Sequence, residues 1–207
     1  MSENSTFSGV ESSNKGICVK AIDTAIWDEC ASDQGAPEGK MAYGVKFSPN
    51  EAEIVLAEAI IPPYGEEARI SLIAIEPAGR GLSWLADWLN ERYKTASCVV
   101  IDGSNGADTL VGKLRPVWQL KESVIQPSPK DVARAAEMLV DDLCERKVTW
   151  FIDQEELRDS ALTAIKRPIS GEWGFGGPAS APIEACSLAL WGCKTSRRNP
   201  QRKMMIG

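Results

Sequence analysis

Asp102 is the acidic residue whose position in the sequence points most directly to chemistry. It ends the apolar run SCVVID and is followed at once by the stretch GSNG. In open α/β sheets, catalytic and binding groups gather where strands end at their carboxyl edge, and glycine lets the backbone turn sharply beside a ligand. Asp102 is therefore a candidate catalytic residue and metal ligand. The alternative is a structural role, in which Asp102 caps the turn or the helix near Gly106.

Two further carboxylates follow predicted elements in a similar way. Glu184 lies one turn into the last predicted helix, just after Pro182. There it either faces the same sheet edge or only complements the helix dipole. Asp153 directly follows the predicted strand KVTWFI, whereas most acids of DQEELRD are expected on a solvated face. We predict Glu184 and Asp153 as additional candidate catalytic and metal-ligating residues.

Basic residues stand out at two places. Lys46 lies within a predicted strand and shares a face with Gly44 and Ser48 by alternation, so it sits at a sheet edge or at a polar site. The C-terminal stretch KTSRRNPQRKMMIG contains five basic residues and no acid. This tail either contacts an anionic partner or is a disordered, solubilising end.

The periodicity of apolar residues predicts the elements that position these side chains. Residues 41–48, 51–61 and 68–76 are predicted strands without intervening helices, which favours an antiparallel arrangement. Residues 97–102, 122–128 and 147–152 are predicted strands that alternate with helices over 82–96, 106–115, 128–146 and 153–167. The strand at 147–152 is a candidate edge strand. A short helix within 19–34 precedes them, GEWGFGG is a hairpin or loop, and residues 181–194 form a last helix. The prediction is an α/β fold with a mixed sheet flanked by helices.

Composition excludes several classes of function. The 207 residues include no histidine, which removes every mechanism that needs a histidine base. The six cysteines form no C-x-x-C pair, so a zinc site is not expected. No G-x-x-x-x-G-K-[ST] phosphate loop and no apolar run of about 18 residues occurs, so we expect neither nucleotide hydrolysis nor a membrane span. The polar N-terminus has no signal-peptide core, which favours a cytoplasmic location, and the net charge of −6 argues against a large nucleic-acid footprint.

The succession of motifs resembles a known family. AYGVKFSPN, GLSWLADWLNERY, VVIDGSNGADTLVGKL, PIEACSLALWG and SRRNPQRK appear in the order seen in the C-terminal nuclease portion of a tailed-phage or prophage terminase large subunit. The resemblance extends from about residue 20 to the end. It implies a ribonuclease H-like fold in which the first three strands are antiparallel and later strands parallel. It also implies a domain at 21–195 between a flexible arm at 1–20 and a basic tail at 196–207.

The same resemblance implies a function and a site. Family members are metal-dependent endonucleases that cut concatemeric phage DNA with two Mg²⁺ or Mn²⁺ ions held by acids at one sheet edge. Asp102 matches the central-strand acid, and Glu184 is the candidate for the acid of the last helix. Asp153 stands near a position where the family often has histidine. Lys46 occupies the place of the usual first-strand aspartate, and we expect Lys46, Arg197 and Arg198 to contact the substrate.

Two other interpretations remain open. In the first, the site has decayed and the domain is a docking or scaffold module of the packaging motor. In the second, the chain is an unrelated α/β domain that shares only the strand order. For the family, the expected partners are double-stranded DNA, the terminase ATPase portion, the small terminase subunit and the portal, in the cytoplasm of the bacterial host.

Overall fold

A computed structural model describes residues 19–48, 52–63, 67–104 and 106–201 of the chain. The predicted arm at 1–20 lies almost entirely outside the described residues, and so do the last six residues of the basic tail. In the described part, no helix combines the length and the apolar character that a membrane crossing requires.

A mixed sheet of seven strands forms the centre of the molecule, in the order β1-β7-β4-β3-β2-β5-β6. The strand β3 is antiparallel to β2 and β4, and the remaining neighbours are parallel. The predicted mixed sheet is therefore confirmed. The strands are β1 (Ala31–Ser32), β2 (Lys40–Phe47), β3 (Glu53–Ile61), β4 (Ala68–Pro77), β5 (Ala96–Asp102), β6 (Val124–Ile125) and β7 (Val148–Phe151).

Helices cover both faces of this sheet, which explains why β5 is apolar along nearly its whole length. The helices are α1 (Thr24–Glu29), α2 (Ser83–Arg92), α3 (Ala107–Trp118), α4 (Pro129–Cys144), α5 (Glu155–Thr163) and α6 (Ala181–Thr195). One apolar core lies between the sheet and α2 and α3, and the other between the sheet and α1, α4, α5 and α6. The helix α4 begins as predicted, with a capping box between Ser128 and Asp131 and Pro129 in its first turn.

Two predicted elements differ from the structure. The helix predicted over 153–167 ends at Thr163, and Lys166 and Arg167 lie instead on β8 (Ile165–Ile169), which pairs with β9 (Glu172–Gly176) in a two-stranded hairpin. Pro168 explains this difference, because the residue before a proline avoids helical conformation. The GEWGFGG stretch thus belongs to a hairpin, which was one of its two predicted forms.

The strand β7 is not at an edge of the sheet, as the sequence had suggested, because β1 pairs with its outer side. The residues of β1 lie within the segment 19–34, which was predicted to contain only a helix. In the structure, Asp23 caps α1 through hydrogen bonds from the backbone N–H groups of Ala25 and Ile26, and the helix ends at Glu29. The chain is then free to extend along β7.

Two glycines allow α6 to pack very closely against the sheet. A Cβ atom on Gly44 of β2 would lie 2.0 Å from the carbonyl oxygen of Ala185. A Cβ atom on Gly192 of α6 would lie 2.5 Å from Cγ2 of Val100 on β5. Because neither glycine has a side chain, α6 crosses β2 and β5 at close range, and this contact fixes where Glu184 lies.

Candidate active site

The parallel pair β2 and β5 determines where the cluster forms. Lys46 and Asp102 are register partners near the carboxyl ends of these two central strands. Lys46 also lies on the face of β2 that carries Gly44, because alternate residues of a strand share a face. The ammonium and the carboxylate therefore point toward α6, as the contacts below show.

The loop that follows Asp102 is built around glycine. Gly103 and Gly106 have φ values of 135° and 88°, in the region that other residues avoid. A Cβ atom on either would lie 2.6 Å from an atom of Phe47, so the ring and backbone of Phe47 fit against the loop. Gly106 occupies the N-cap position of α3, and no side chain caps this helix. Among the described residues, no backbone N–H of α3 donates a hydrogen bond to Asp102, so the helix-cap alternative is not observed. The turn-cap alternative involves position 105, which lies outside the described residues.

Glu184 reaches the same place from α6. It is held by the close contact of its neighbour Ala185 with Gly44. The hydroxyl of Ser180 donates a 2.6 Å hydrogen bond to Oε1 of Glu184. The carboxylate is therefore fixed in the first turn of a helix whose backbone contacts β2 directly.

The Lys46 ammonium lies between the two carboxylates. Its Nζ is 2.5 Å from Oδ2 of Asp102 and 2.8 Å from Oε2 of Glu184. The exposed fractions of the side chains are 8% for Lys46, 21% for Asp102 and 4% for Glu184. The contact with Glu184 is an ion pair outside hydrogen-bond angles, so Oε2 has no hydrogen-bond donor among the described residues. We name these three residues the ammonium–carboxylate cluster.

The electrostatics of the cluster keep Lys46 charged. Burial by itself lowers the pKa of Lys46, but the charges of Glu184 and Asp102 raise it by more, so the net pKa lies above its ordinary value. A lysine with a raised pKa is protonated at neutral pH. It has no lone pair to ligate a metal and cannot act as a general base there.

The cluster does not fit a two-metal site. No group of three or more histidine, cysteine, aspartate or glutamate side chains in the described ranges is arranged to hold a metal ion. Two carboxylates are present, and each already pairs with the same ammonium. Mg²⁺ and Mn²⁺ take oxygen ligands and would have to approach a fixed positive charge. The residue types at the sheet edge suit such ions, but their arrangement around Lys46 does not.

Asp153 lies away from the cluster. It is exposed and follows β7, which is separated from β2 by β4 and β3, about 14 Å at the usual strand spacing. The neighbouring Gln154 has a defined structural contact instead. Its side-chain amide accepts a 2.8 Å hydrogen bond from the backbone N–H of Leu72 and donates a 2.7 Å hydrogen bond to the Leu72 carbonyl.

The described part of the basic tail also lies at a distance. Arg198 donates hydrogen bonds of 2.7 and 2.6 Å to the carbonyl oxygens of Ala96 and Tyr93, at the amino end of β5. Asp102 is at the other end of this strand, about 20 Å away for seven residues. Arg197 is exposed. The structure thus brings Asp102, Glu184 and Lys46 together and leaves Asp153, Arg197 and Arg198 apart.

Sequence reasoning missed two residues that shape the cluster. Ser180 orients Glu184, and its position four residues earlier, one helical turn away, was the available signal. Gly44 admits α6 against β2, and its place on the same strand face as Lys46 was visible by alternation.

Comparison with known proteins gives a match in structure alone. No family model matches the chain, and no curated protein is similar enough in sequence to match. Among solved structures, the large terminase of bacteriophage HK97 has a TM-score of 0.56 at 12% identity, over 83% of this chain and 43% of that one. The large terminase of a thermophilic bacteriophage has a TM-score of 0.61 at 11% identity, with coverage of 84% and 45%. This chain therefore spans less than half the length of either protein.

Two shorter structures match over most of both chains. The large terminase nuclease of the thermophilic phage G20c, solved with bound magnesium, has a TM-score of 0.56 at 14% identity and covers 83% of this chain and 96% of that one. The g2p nuclease domain of bacteriophage SPP1, solved with bound Mn, has a TM-score of 0.52 at 11% identity, with coverage of 77% and 93%. These similarities confirm the predicted ribonuclease H-like fold, which this chain shares with large terminase nuclease domains.

Proposed function

We propose that this chain is a nuclease-fold module of a phage DNA-packaging machine that contributes to packaging by docking, not by two-metal cleavage of DNA. The fold supports the assignment to packaging, because the structures it resembles are large terminases and their nuclease domains. The observation that supports docking is the position of the Lys46 ammonium between Asp102 and Glu184.

The electrostatics of the cluster oppose two-metal cleavage. Two-metal hydrolysis of a phosphodiester uses two divalent cations that stabilise the attacking and the leaving oxygen. Here the single positive charge of Lys46, a residue of β2, neutralises one of the two carboxylates. The cluster therefore has a net charge of −1. A net charge of −1 cannot balance the positive charge of two divalent ions.

The similar solved structures suggest the partner. The region of similarity to the HK97 large terminase is less than half of that protein. The same holds for the large terminase of the thermophilic bacteriophage, which has also been solved with ATP-γ-S and with ADP. We therefore propose that the terminase ATPase portion is the primary docking partner. Double-stranded DNA, the small terminase subunit and the portal are the further partners expected in a packaging complex.

The second candidate function is a metal-dependent endonuclease that cuts concatemeric DNA with Mg²⁺ or Mn²⁺. The observation that favours it is the partial exposure of Asp102 at the tip of β5, next to a second carboxylate. In this version Asp102 and Glu184 hold the metal with help from substrate phosphates, because Asp153 lies too far away to contribute. Lys46, Arg197 and Arg198 contact the DNA backbone.

Plasmid nicking separates the two candidates. Purified protein is incubated with supercoiled plasmid in Mn²⁺ or Mg²⁺, with EDTA and Asp102→Asn samples as controls. We expect no nicking above the EDTA control. Nicking that Asp102→Asn abolishes would reject the docking proposal and establish the endonuclease. Binding to a separately purified terminase ATPase portion, measured by analytical ultracentrifugation, tests docking directly, and no complex formation would contradict it.

A further inference from the structure

We infer that Lys46 is a built-in counter-ion that excludes divalent cations, and that Asp102 and Glu184 form a latent binding site for a hard divalent cation such as Mn²⁺. This inference rests on the proposed function, since it explains how a chain with a nuclease fold has come to do without metal. It adds that a single side chain blocks the site.

The geometry of the pair is close to that of a cation site. One oxygen of each carboxylate contacts the same nitrogen, at 2.5 and 2.8 Å. Mg²⁺ holds its oxygen ligands at about 2.1 Å, so the two carboxylates need to close by only about half an ångström each. Water molecules normally complete the coordination of such ions, and the partial exposure of Asp102 gives water access.

The pair is held in place without Lys46. Ser180 fixes Glu184 through its 2.6 Å hydrogen bond, and the contact of Gly44 with Ala185 fixes the first turn of α6. Asp102 is fixed by the β2–β5 register and by the loop that fits against Phe47. Loss of the lysine side chain therefore leaves two positioned carboxylates and an empty space between them.

Charge then determines what enters this space. Without the ammonium, two carboxylates share one site, and the almost fully buried Glu184 has no counter-charge. Two carboxylates that face the same small space repel each other, and protonation or uptake of a cation relieves this repulsion. Because both carboxylates supply oxygen ligands and the chain contains no histidine, the site favours Mg²⁺, Mn²⁺ or Ca²⁺ over softer metals.

The experiment measures binding of MnCl₂ alone to the wild-type chain and to Lys46→Asp and Lys46→Ala. Free Mn²⁺ is followed by electron paramagnetic resonance, and thermal unfolding is recorded with and without the metal. We expect no Asp102-dependent uptake by the wild type, but uptake and a raised melting temperature in Lys46→Asp. Lys46→Asp with Asp102→Asn should lose both effects. Ser180→Ala in the Lys46→Asp background should weaken Mn²⁺ binding about tenfold or more, as loss of a ligand-orienting partner does.

Two outcomes would overturn the inference. One is Mn²⁺ uptake by the wild type that Asp102→Asn removes, and the other is no uptake by folded Lys46→Asp and Lys46→Ala. Far-UV circular dichroism establishes which variants fold. Failure of both variants to fold, even in MnCl₂, would also overturn the inference, because the two carboxylates would then not be held in place without Lys46. Failure of the proposed function is distinguished by the plasmid assay, which uses the unaltered chain and measures cleavage, not binding.

Discussion

Two buried cations at opposite ends of one sheet have different surroundings. Lys46 lies near the carboxyl end of β2 and pairs with two carboxylates. Arg69 lies near the amino end of β4, which runs parallel to β2, and donates hydrogen bonds of 2.9, 2.8 and 2.9 Å to Oγ1 of Thr149, the carbonyl of Gln34 and Oγ of Ser32. Among the described residues, no carboxylate lies within ion-pair distance of Arg69.

The net pKa shifts of the two cations have opposite directions, although burial lowers the pKa of both. Burial lowers the pKa of Arg69, whose hydrogen-bond acceptors are neutral. Burial also disfavours the charged form of Lys46, but Glu184 and Asp102 outweigh it and raise the pKa. The comparison shows that burial alone does not define a reactive or binding site. Arg69 attaches β1 and the loop after it to β4 and β7, whereas Lys46 neutralises charge at a sheet edge suited to cations.

The largest expected effect is that of Lys46→Met. This substitution leaves two carboxylates without their cation, and we expect it to lower the free energy of unfolding by about 3–5 kcal/mol, as when one partner of a buried ion pair is removed. Urea unfolding at neutral pH measures the change. A loss below about 1 kcal/mol would show that the cluster is as solvated as a surface ion pair.

Gly44→Ala tests the helix contact without changing any charge. The new Cβ would lie 2.0 Å from the Ala185 carbonyl oxygen, so α6 must shift away from β2 and carry Glu184 with it. We expect a loss of about 1–3 kcal/mol, the usual range for overpacking. The matched control is Gly112→Ala in α3, where a Cβ meets nothing within 4 Å. This control should be stabilised by about 0.5–1 kcal/mol, and equal effects at both glycines would contradict the close contact.

Arg69→Met tests the second buried cation, whose partners are neutral. It removes three hydrogen bonds but leaves only neutral acceptors behind, so we expect a loss of about 1–3 kcal/mol, smaller than that of Lys46→Met. The same urea titration serves for this variant. If Arg69→Met costs as much as Lys46→Met, the contrast in partner charge does not govern stability, and an unrecognised anion pairs with Arg69.

The smallest expected effect is the gradual loss of the stabilising contribution of Lys46 at alkaline pH. The pKa of Lys46 is raised from 10.5 in the folded protein, so its stabilising contribution is complete below pH 10.5 and is lost as pH rises through the folded-state value. The difference in unfolding free energy between wild type and Lys46→Met should therefore be constant at neutral pH and shrink above pH 10.5. A difference that already shrinks between neutral pH and pH 10.5 would mean that the pKa of Lys46 is lowered in the fold.

The sequence allowed much of the fold to be predicted, because local periodicity reports the local element. The apolar run before Asp102 and the capping pattern at Ser128 both correspond to observed elements. The two-residue strand β1 was not predictable, since its pairing with β7 depends on residues more than a hundred positions away. The end of α5 was missed although Pro168 gave a local signal.

The candidate site was predictable by residue type more than by arrangement. Asp102 and Glu184 were identified, but Asp153 and Arg198 have the right chemistry in places about 14 and 20 Å from the relevant strand ends. No local pattern distinguishes an acid that follows a central strand from one that follows a strand three positions across the sheet.

The sequence by itself determined most of the elements, the absence of histidine chemistry and the carboxylate at the end of a buried strand. Only the tertiary structure decided that the Lys46 ammonium lies between Asp102 and Glu184, because this position depends on the β2–β5 register and on the close crossing of α6 over Gly44. Alternation places a side chain on a face of its own strand. The partner that it meets there is fixed by packing between elements far apart in the chain.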